Sequence, residues 1–389
     1  MQIELPISKS IANRLLILQA THGDELMPVS YSMPGDVQLL HRALTTLHNP
    51  TQSYTTLHLS NCGTAMRFLT AYAAQLENRV TILDGVERMH HRPIGQLVDA
   101  LREIGADIEY LGEEGFPPLR IKGCILNKHR EVTITNPQST QFISALLLIG
   151  VNVQTNSTSP YIYITQEVIK QYQLSPFSFH LTVEKDWSAA AFWYEYVALH
   201  GGEITLPGLF CDSLQGDKVV ADIFAHLGVH TIYTDEGITI KKDNEFLIQQ
   251  HKQLNPTTLR GNQLPAAPGA KANNPCRSRE LIRAEVVDIV VDNTLSLDFA
   301  NCPDLYPVVA LTCERLGIEL HATGVESLPL KESDRLRAVA EHRADADHRM
   351  AMALLIAGYE VDDTTCISKS YPQFLEHFHQ LQENNCLHS

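Results

Sequence analysis

The chain has 389 residues, of which 44% are hydrophobic, and its formal net charge at pH 7 is -15. This length suits two domains of ordinary size, each with enough apolar side chains for its own core. The acidic charge argues against a nucleic acid or an anionic membrane as a partner, because proteins that bind those surfaces need a basic face.

The first predicted helix opens with small polar and cationic residues. Ser8, Lys9 and Ser10 precede an apolar stretch from Leu15 to Ala20. A helix N-terminus presents unpaired N–H groups and the positive end of the helix dipole, so an anion is favoured there, and Lys9 and Arg14 add full charges. The alternative is a capped surface helix with solvated cations.

The same pattern opens three further predicted helices. Their apolar runs are Phe68 to Ala74, Phe142 to Gly150 and Met350 to Gly358. The residues that open these runs are Asn61 to Arg67, Ser139 to Gln141 and Asp347 to Arg349. Each run is shorter than the about 20 residues that cross a bilayer. We therefore expect four buried helices whose N-termini favour a small anionic ligand, and no membrane partner.

A supersecondary pattern occurs twice. Residues Leu97 to Gly123 predict a helix, a strand, a turn and a second strand, and Val219 to Lys242 predict the same order. Such a recurrence indicates stacked βαβαββ modules and not one doubly wound sheet.

Cysteine and histidine usage predicts no metal site. The eight cysteines and 18 histidines lack the spacings typical of zinc or redox motifs. No signal peptide precedes them, so a reducing cytoplasm fits best. Cys62 lies in a motif and is a candidate nucleophile. However, no general base is identifiable beside it, and a buried thiol is the commoner case.

Ten short motifs follow one another along nearly the whole chain. They are SKSIANR at Ser8 to Arg14, NCGTAMR at Asn61 to Arg67, HRPIGQLVDALREIGA at His91 to Ala106, STQF at Ser139 to Phe142, SPYI at Ser159 to Ile162, VEKDWSAAAF at Val183 to Phe192, CPD at Cys302 to Asp304, LKESDR at Leu330 to Arg335, DHRMAM at Asp347 to Met352 and SKSYPQF at Ser368 to Phe374. In type and order they resemble the motifs of the enolpyruvyl transferases, and most closely those of the members that act on shikimate 3-phosphate.

The resemblance implies an α/β (α+β) fold, a two-domain inside-out α/β barrel of repeated βαβαββ units with an interdomain cleft. Residues 10–184 would form the upper domain, and residues 1–9 with 185–389 the lower domain. The chain would cross between them near Ser8 to Ser10 and Thr182 to Asp186. We expect a cytoplasmic monomer.

The implied reaction transfers the enolpyruvyl group of phosphoenolpyruvate to the 5-hydroxyl of shikimate 3-phosphate and releases phosphate, with no cofactor, on the way to chorismate and the aromatic amino acids. Each substrate carries a carboxylate and a phosphate, so converging cations would offset their repulsion. The implied phosphoenolpyruvate ligands are Lys9, Gly63, Arg92, Gln141, Arg335, Arg349 and Lys369. The implied shikimate 3-phosphate ligands are Ser10, Arg14, Ser139, Thr140, Gln141, Thr158, Tyr161 and Lys331.

Two carboxylates match the catalytic acids and bases of the family. By the resemblance, Asp304 would orient and deprotonate the 5-hydroxyl, Glu332 would exchange the methylene proton, and Lys9 would offset developing charge. The alternative for Glu332 is an ion pair with Arg335, three residues further along a helix.

The chain departs from the family pattern in several places. Phe68 stands where Pro is common, and Pro329 where Arg is frequent. Only 11 residues separate Arg335 from Asp347. This spacing predicts a truncated repeat and a displacement of Arg349 by several ångströms. The Pro- and Gly-rich stretch from Gln249 to Arg283 predicts an inserted surface loop, and Glu285 to Asp292 a strand.

Two other functions are considered. The truncated repeat favours a non-catalytic or impaired homologue that still binds shikimate 3-phosphate. A sister transferase that acts on a UDP-sugar is expected to have a Lys-Asn start and a mobile cysteine loop, and the sequence has neither.

Overall fold

The computed structural model describes residues 1–49, 52–174, 183–242 and 293–386. The described helices are α1 (Lys9–His22), α2 (Gly35–His48), α3 (Gly63–Ala74), α4 (Gly95–Glu103), α5 (Thr140–Leu148), α6 (Pro160–Leu174), α7 (Trp187–His200), α8 (Val220–Ala225), α9 (Tyr306–Leu316), α10 (Arg335–Glu341), α11 (His348–Ile356) and α12 (Phe374–Cys386). The described strands are β1 (Tyr54–His58), β2 (Val80–Asp84), β3 (Asp107–Tyr110), β4 (Leu119–Lys122), β5 (Val132–Thr133), β6 (Val153–Gln154), β7 (Glu203–Pro207), β8 (Val229–Tyr233), β9 (Gly237–Lys242), β10 (Thr294–Asp298) and β11 (Glu319–Thr323).

The loop predicted at Gln249 to Arg283 and the strand predicted at Glu285 to Asp292 lie outside the described residues. No helix in the described ranges is long and apolar enough to cross a membrane.

The first sheet has the strand order β1-β2-β4-β3. Strands β1 and β2 are parallel, and β4 is antiparallel to both β2 and β3, with Ile108 opposite Ile121. Helix α3 joins β1 to β2 and helix α4 joins β2 to β3, so the segment from β1 to β4 is a complete βαβαββ unit. The order predicted from Leu97 to Gly123 is therefore confirmed.

The second sheet has the order β7-β9-β8, and both pairs are antiparallel. The N-terminal residues extend it, since Gln2 forms a parallel bridge with Thr205 and the Ile3 N–H donates to the Thr205 carbonyl over 2.9 Å. The order predicted from Val219 to Lys242 is also confirmed. The first strand position of this unit is filled by a segment about 200 residues away in the chain.

The two remaining described sheets are parallel pairs, β5 with β6 and β10 with β11. After β11 the chain forms α10 and α11, and residues 336–346 between Arg335 and Asp347 contain no strand. The last repeat is thus shortened, as predicted.

Buried apolar side chains form two separate cores. One contains residues between Ile11 and Tyr172, and the other contains Ile3, Leu5 and residues from Trp187 to Leu381. The chain passes between the cores where residues 6–8 lie antiparallel to residues 184–186. The Ser8 N–H donates to the Glu184 carbonyl over 2.8 Å. This pairing fixes the starts of α1 and α7 next to each other.

A buried carboxyl lies in the second core. Glu195 on α7 is 0% exposed, and neither of its oxygens has a hydrogen-bond partner among the described residues. Burial raises the pKa of Glu195 well above its usual range. The folded chain therefore keeps a proton there that the unfolded chain loses above pH of about 4.3. Because the folded state binds more protons, this group lowers the free energy of unfolding as the pH rises.

We expect Glu195→Gln to increase the free energy of unfolding, and to do so more at pH 8 than at pH 5, because the amide has no proton to lose. Urea denaturation of both proteins at the two pH values measures the difference. Glu236→Gln, at an exposed turn residue, is the control and should show no such pH dependence. An equal effect of Glu195→Gln at both pH values would contradict the assignment.

Candidate active site

A cavity of about 860 Å³, here called the central cavity, is lined by residues from the segments of both cores. Its size lies within the range of small-molecule sites. Seven cationic side chains line it: Lys9, Arg14, Arg67, Arg92, Lys331, Arg335 and Arg349. An otherwise acidic protein thus concentrates positive charge in one place, which favours an anionic ligand.

The four helices predicted from the sequence all begin at the central cavity. Their first residues, Lys9, Gly63, Thr140 and His348, all line it. The Ser139 Oγ accepts the Gln141 N–H over 3.3 Å and so caps α5. The positive ends of four helix dipoles therefore add to the side-chain charges.

The start of α1 is not a capped surface helix. Ser8 makes no capping bond, and its hydroxyl donates to the Gln215 Oε1 over 2.9 Å. The Lys9 N–H instead donates to the Asp186 carboxylate over 3.0 Å, and Arg14 is only 3% exposed. The alternative interpretation of this helix is therefore wrong.

All but one of the predicted site residues line the central cavity. These are Lys9, Ser10, Arg14, Gly63, Arg92, Ser139, Thr140, Gln141, Thr158, Tyr161, Asp304, Lys331, Glu332, Arg335 and Arg349. Lys369 lines an adjoining cavity, but its Nζ lies 3.0 Å from the Glu332 Oε1 and 3.0 Å from the Asn61 carbonyl oxygen. Residues separated by up to 360 positions in the chain thus meet at one place.

Arg335 is the central cation of the site. Its side chain is 1% exposed and donates to three carboxylates: Nε to the Asp347 Oδ2 over 2.8 Å, Nη1 to the Asp304 Oδ1 over 2.7 Å and Nη2 to the Glu332 Oε2 over 3.2 Å. The ion pair between Glu332 and Arg335 considered from the sequence is therefore present. It fixes the Glu332 carboxylate at the cavity wall.

Asp304 is surrounded by positive charge. Its Oδ2 lies 2.9 Å from the Arg349 Nη2, and its Oδ1 lies 3.5 Å from the Lys331 Nζ. Burial alone would raise its pKa, but Arg349, Lys331 and Arg335 outweigh burial and hold the pKa of Asp304 well below its usual range. The displacement expected for Arg349 is not seen, since Arg349 and Lys331 contact the same carboxylate.

Glu332 is held in the same way. Burial would raise its pKa, but Lys369, Arg92 and Arg335 hold the pKa of Glu332 well below its usual range. The nearest oxygen of Glu332 lies 3.8 Å from the Arg92 Nη1. Both carboxylates are therefore ionised at neutral pH when no substrate is bound.

Arg14 is locked in place by four hydrogen bonds. Its guanidinium donates to the Thr165 and Ser144 hydroxyls and to the Ser10 and Tyr161 carbonyls. Burial lowers its pKa to about 10, so it stays charged at pH 7. Its Cζ lies 5.6 Å from the centroid of the Phe68 ring, which gives this unexpected aromatic side chain a role as a cation–π partner.

Gly63 allows Arg92 to approach the start of α3. A Cβ at this position would lie 2.5 Å from the Arg92 Nη2 and 2.7 Å from the Arg67 Nη1. The Arg92 Nη1 donates to the Asn61 carbonyl over 3.1 Å, and the Gln141 Nε2 donates to the Thr64 hydroxyl over 3.0 Å. Any side chain at position 63 would displace the two guanidinium groups.

Several residues near the site were not predicted. Asp36 pairs with Lys9, with 3.2 Å between the Lys9 Nζ and Asp36 Oδ2, and nothing in the sequence around Asp36 signals this. Arg88 donates to the Pro329 carbonyl over 2.7 Å and to the Lys331 carbonyl, and so links the two core segments. In contrast, Arg67 and His348 lie within two of the sequence motifs, NCGTAMR and DHRMAM. Their position at the cavity could therefore have been predicted from the sequence.

Cys62 does not have the surroundings of a nucleophile. It is 1% exposed, and its Sγ accepts the Ala65 N–H. Burial raises the pKa of its thiol to about 12, so almost no thiolate exists at pH 7. We expect Cys62→Ala to keep turnover within about threefold of the unmodified protein, because the substitution removes only a buried thiol. A loss of about a hundredfold or more in a steady-state assay would contradict this.

The described ranges contain no group of three His, Cys, Asp or Glu side chains arranged to hold a metal ion.

Comparisons with known proteins identify the family of the chain. The sequence profile of EPSP synthase (3-phosphoshikimate 1-carboxyvinyltransferase) matches residues 36–174, 148–270 and 339–378. A 3-phosphoshikimate 1-carboxyvinyltransferase from Bacteroides fragilis is 35% identical, covering 96% of this chain and 93% of that protein, and one from Photobacterium damsela subsp. piscicida is 30% identical over 98% and 96%. An EPSP synthase structure from Acinetobacter baumannii shares the α/β fold, with a TM-score of 0.58 at 17% identity over 97% of this chain and 94% of that one. Because the profile and the relatives cover most of the chain that builds this cationic cavity, the chain belongs to the EPSP synthase family.

Proposed function

We propose that this chain transfers the enolpyruvyl group of phosphoenolpyruvate to the 5-hydroxyl of shikimate 3-phosphate and releases phosphate. It is then a 3-phosphoshikimate 1-carboxyvinyltransferase of chorismate and aromatic amino acid biosynthesis. The observation that carries the proposal is the central cavity, in which seven cations from distant parts of the chain surround two ionised carboxylates. Two substrates that each bear a carboxylate and a phosphate need such a site to approach each other.

The two substrates would bind at different parts of the central cavity. Shikimate 3-phosphate would contact residues mostly from the first core segment: Ser10, Arg14, Ser139, Thr140, Gln141, Thr158, Tyr161 and Lys331. Phosphoenolpyruvate would contact cations from both core segments, together with the Gly63 N–H and the Gln141 amide. These cations are Lys9, Arg92, Arg335, Arg349 and Lys369. Arginine suits these positions because its planar fork binds oxyanions in pairs of hydrogen bonds.

Asp304 is suited to act as the base. Its low pKa keeps it ionised, and it lies beside Lys331 and Arg349. Asp304 would accept a hydrogen bond from the 5-hydroxyl and remove its proton as the oxygen attacks C2 of phosphoenolpyruvate. This proton would then leave with the phosphate when the C–O bond to phosphate breaks. Lys9 would offset the charge that develops.

Glu332 is suited to move a proton to and from C3. Without substrate, Lys369, Arg92 and Arg335 keep it ionised. When the phosphoenolpyruvate carboxylate and phosphate take these cations as partners, the carboxylate loses part of its stabilisation and its pKa rises, so that it can carry a proton. Glu332 would give this proton to C3 during addition. It would take one back from the methyl group as the C–O bond to phosphate breaks.

We also propose that the division into two domains and their arrangement follow the family pattern. Residues 10–184 would form one domain, and residues 1–9 with 185–389 the other, arranged as an inside-out α/β barrel that closes over the cavity. The two cores and the paired crossing at residues 6–8 and 184–186 support this division. We further propose a monomer of the cytoplasm. There the cysteines that form no disulfide in the structure would remain reduced, and these include Cys62, Cys124, Cys211, Cys302, Cys313 and Cys366.

A steady-state assay tests the function. Phosphate release should require both shikimate 3-phosphate and phosphoenolpyruvate, and a UDP-sugar should not replace the former. If no phosphate appears but calorimetry shows that shikimate 3-phosphate binds, the chain is a non-catalytic homologue. Absence of both turnover and binding would contradict the proposal entirely.

A further inference from the structure

A second cavity of about 650 Å³, here called the rear cavity, adjoins the central cavity. Its inner end is lined by Glu332, Lys369 and Cys62, and it opens among exposed residues that include Asp345 and Thr365. Glu332 lines both cavities, and its side chain is 11% exposed. The carboxylate that the proposed reaction uses at C3 is therefore part of the wall between them.

The rear cavity has a different charge from the central one. Its lining contains five carboxylates and three cations, whereas seven cations and six carboxylates line the central cavity. Two of the carboxylates that line it, Asp345 and Asp363, are exposed to solvent. An acidic passage repels phosphorylated acids and phosphate, whereas it attracts protons. The rear cavity is thus unsuited to the substrates, but it is large enough and polar enough for a chain of water molecules.

The protonation of Glu332 raises a question of access. The carboxylate is ionised before phosphoenolpyruvate binds, so it must take a proton from solvent. Once two substrates fill the central cavity, that side of Glu332 no longer faces solvent. Lys369 lies on the other side, with its Nζ 3.0 Å from the Glu332 Oε1, and it lines only the rear cavity.

We propose that the rear cavity is the route by which Glu332 exchanges its proton with solvent while both substrates occupy the central cavity. A hydronium ion at the mouth gives up a proton, water molecules relay it, and the Glu332 carboxylate gains it. Within the reaction Glu332 gives one proton to C3 and takes back one of the three methyl protons. No net proton is consumed, so exchange changes only which hydrogen isotope C3 carries. This inference rests on the proposed function.

The connection between α10 and α11 forms part of the mouth. Ala346 belongs to this shortened connection, lines the rear cavity and is exposed, and Thr365 lies on another segment of the mouth. Neither residue is a proposed substrate ligand, and a large side chain at either position would obstruct the passage at its mouth. Asp362 is equally exposed but does not line the rear cavity, so it provides a matched control position.

The test is a single turnover in D₂O with enzyme in excess over phosphoenolpyruvate, followed by mass spectrometry of the product's methylene group. If Glu332 exchanges only before the substrates bind, each product carries at most one deuteron. The tetrahedral intermediate can revert to bound substrates, so exchange through the rear cavity allows a second deuteron to enter. We expect the unmodified protein to give a substantial share of dideuterated product.

We expect Thr365→Trp and Ala346→Trp each to lower the dideuterated fraction at least fivefold. Asp362→Trp should leave this fraction unchanged. Release and rebinding of substrate through the central cavity would affect all variants equally. If one mouth variant fails to fold, the other decides the result.

Product limited to one deuteron in the unmodified protein would overturn the inference, as would equal dideuterated fractions in the mouth variants and the control. Absence of any product would overturn the proposed function itself, so the two failures are distinguishable.

Discussion

Asp304→Asn is expected to lower kcat for phosphate release by about a thousandfold, because the amide cannot accept the proton of the 5-hydroxyl. The substitution keeps the shape of the side chain, which faces the cavity and is 19% exposed, so the fold should remain intact. Steady-state kinetics with both substrates measures the loss, and circular dichroism with thermal denaturation checks the fold.

Asp298→Asn is the matched control for this loss. Asp298 also lines the central cavity, but its carboxylate accepts the Ala300 N–H, a bond that an amide oxygen can also make. We expect this variant to keep kcat within about threefold of the unmodified protein. Near-full activity of Asp304→Asn, or equal losses in the two variants, would remove Asp304 from the proposed mechanism.

Arg335→Leu is expected to destabilise the fold by about 3–5 kcal/mol and to abolish turnover. The substitution leaves Asp347, Asp304 and Glu332 without the buried cation to which all three are hydrogen-bonded. Urea denaturation at pH 7 measures the change.

Arg337→Leu is the control for Arg335→Leu, since Arg337 lies two residues further along the same helix. Its side chain is 67% exposed and pairs with Glu341 in the solvent. We expect no measurable change in stability from this substitution. If both variants unfold at the same urea concentration, the buried pairing of Arg335 contributes far less than its geometry indicates.

The local features of the fold were predictable from the sequence. Small polar and cationic residues before apolar runs gave the starts of α1, α3, α5 and α11, since this order is typical of a helix N-terminus beside an anion. The alternation in Leu97 to Gly123 likewise gave a helix followed by two strands. Both signals are contained within short windows of sequence, and for this reason they could be recognised.

Contacts between residues far apart in the chain were harder to predict from the sequence. The sequence does not reveal that Asp36 pairs with Lys9 or that Arg88 reaches the Pro329 carbonyl, because both contacts depend on how the segments pack. The expected displacement of Arg349 was wrong for a similar reason. Asp347 caps α11 and also binds Arg335, so this helix start stays at the cavity although the connection before it is short.

The roles of the site residues and the domain boundaries stay predictions. Motif resemblance supplied the residue list, and the structure brings these residues together. However, neither the sequence nor the folded chain specifies which substrate atom each of these residues contacts.

A crystal structure with shikimate 3-phosphate and phosphoenolpyruvate bound tests the central claim most directly. The account predicts that Arg349 and Lys369 both contact phosphoenolpyruvate, that Arg14 or Lys331 contacts shikimate 3-phosphate, and that C3 of phosphoenolpyruvate lies within reach of Glu332. Substrates bound elsewhere, with these cations still paired only to protein carboxylates, would contradict it.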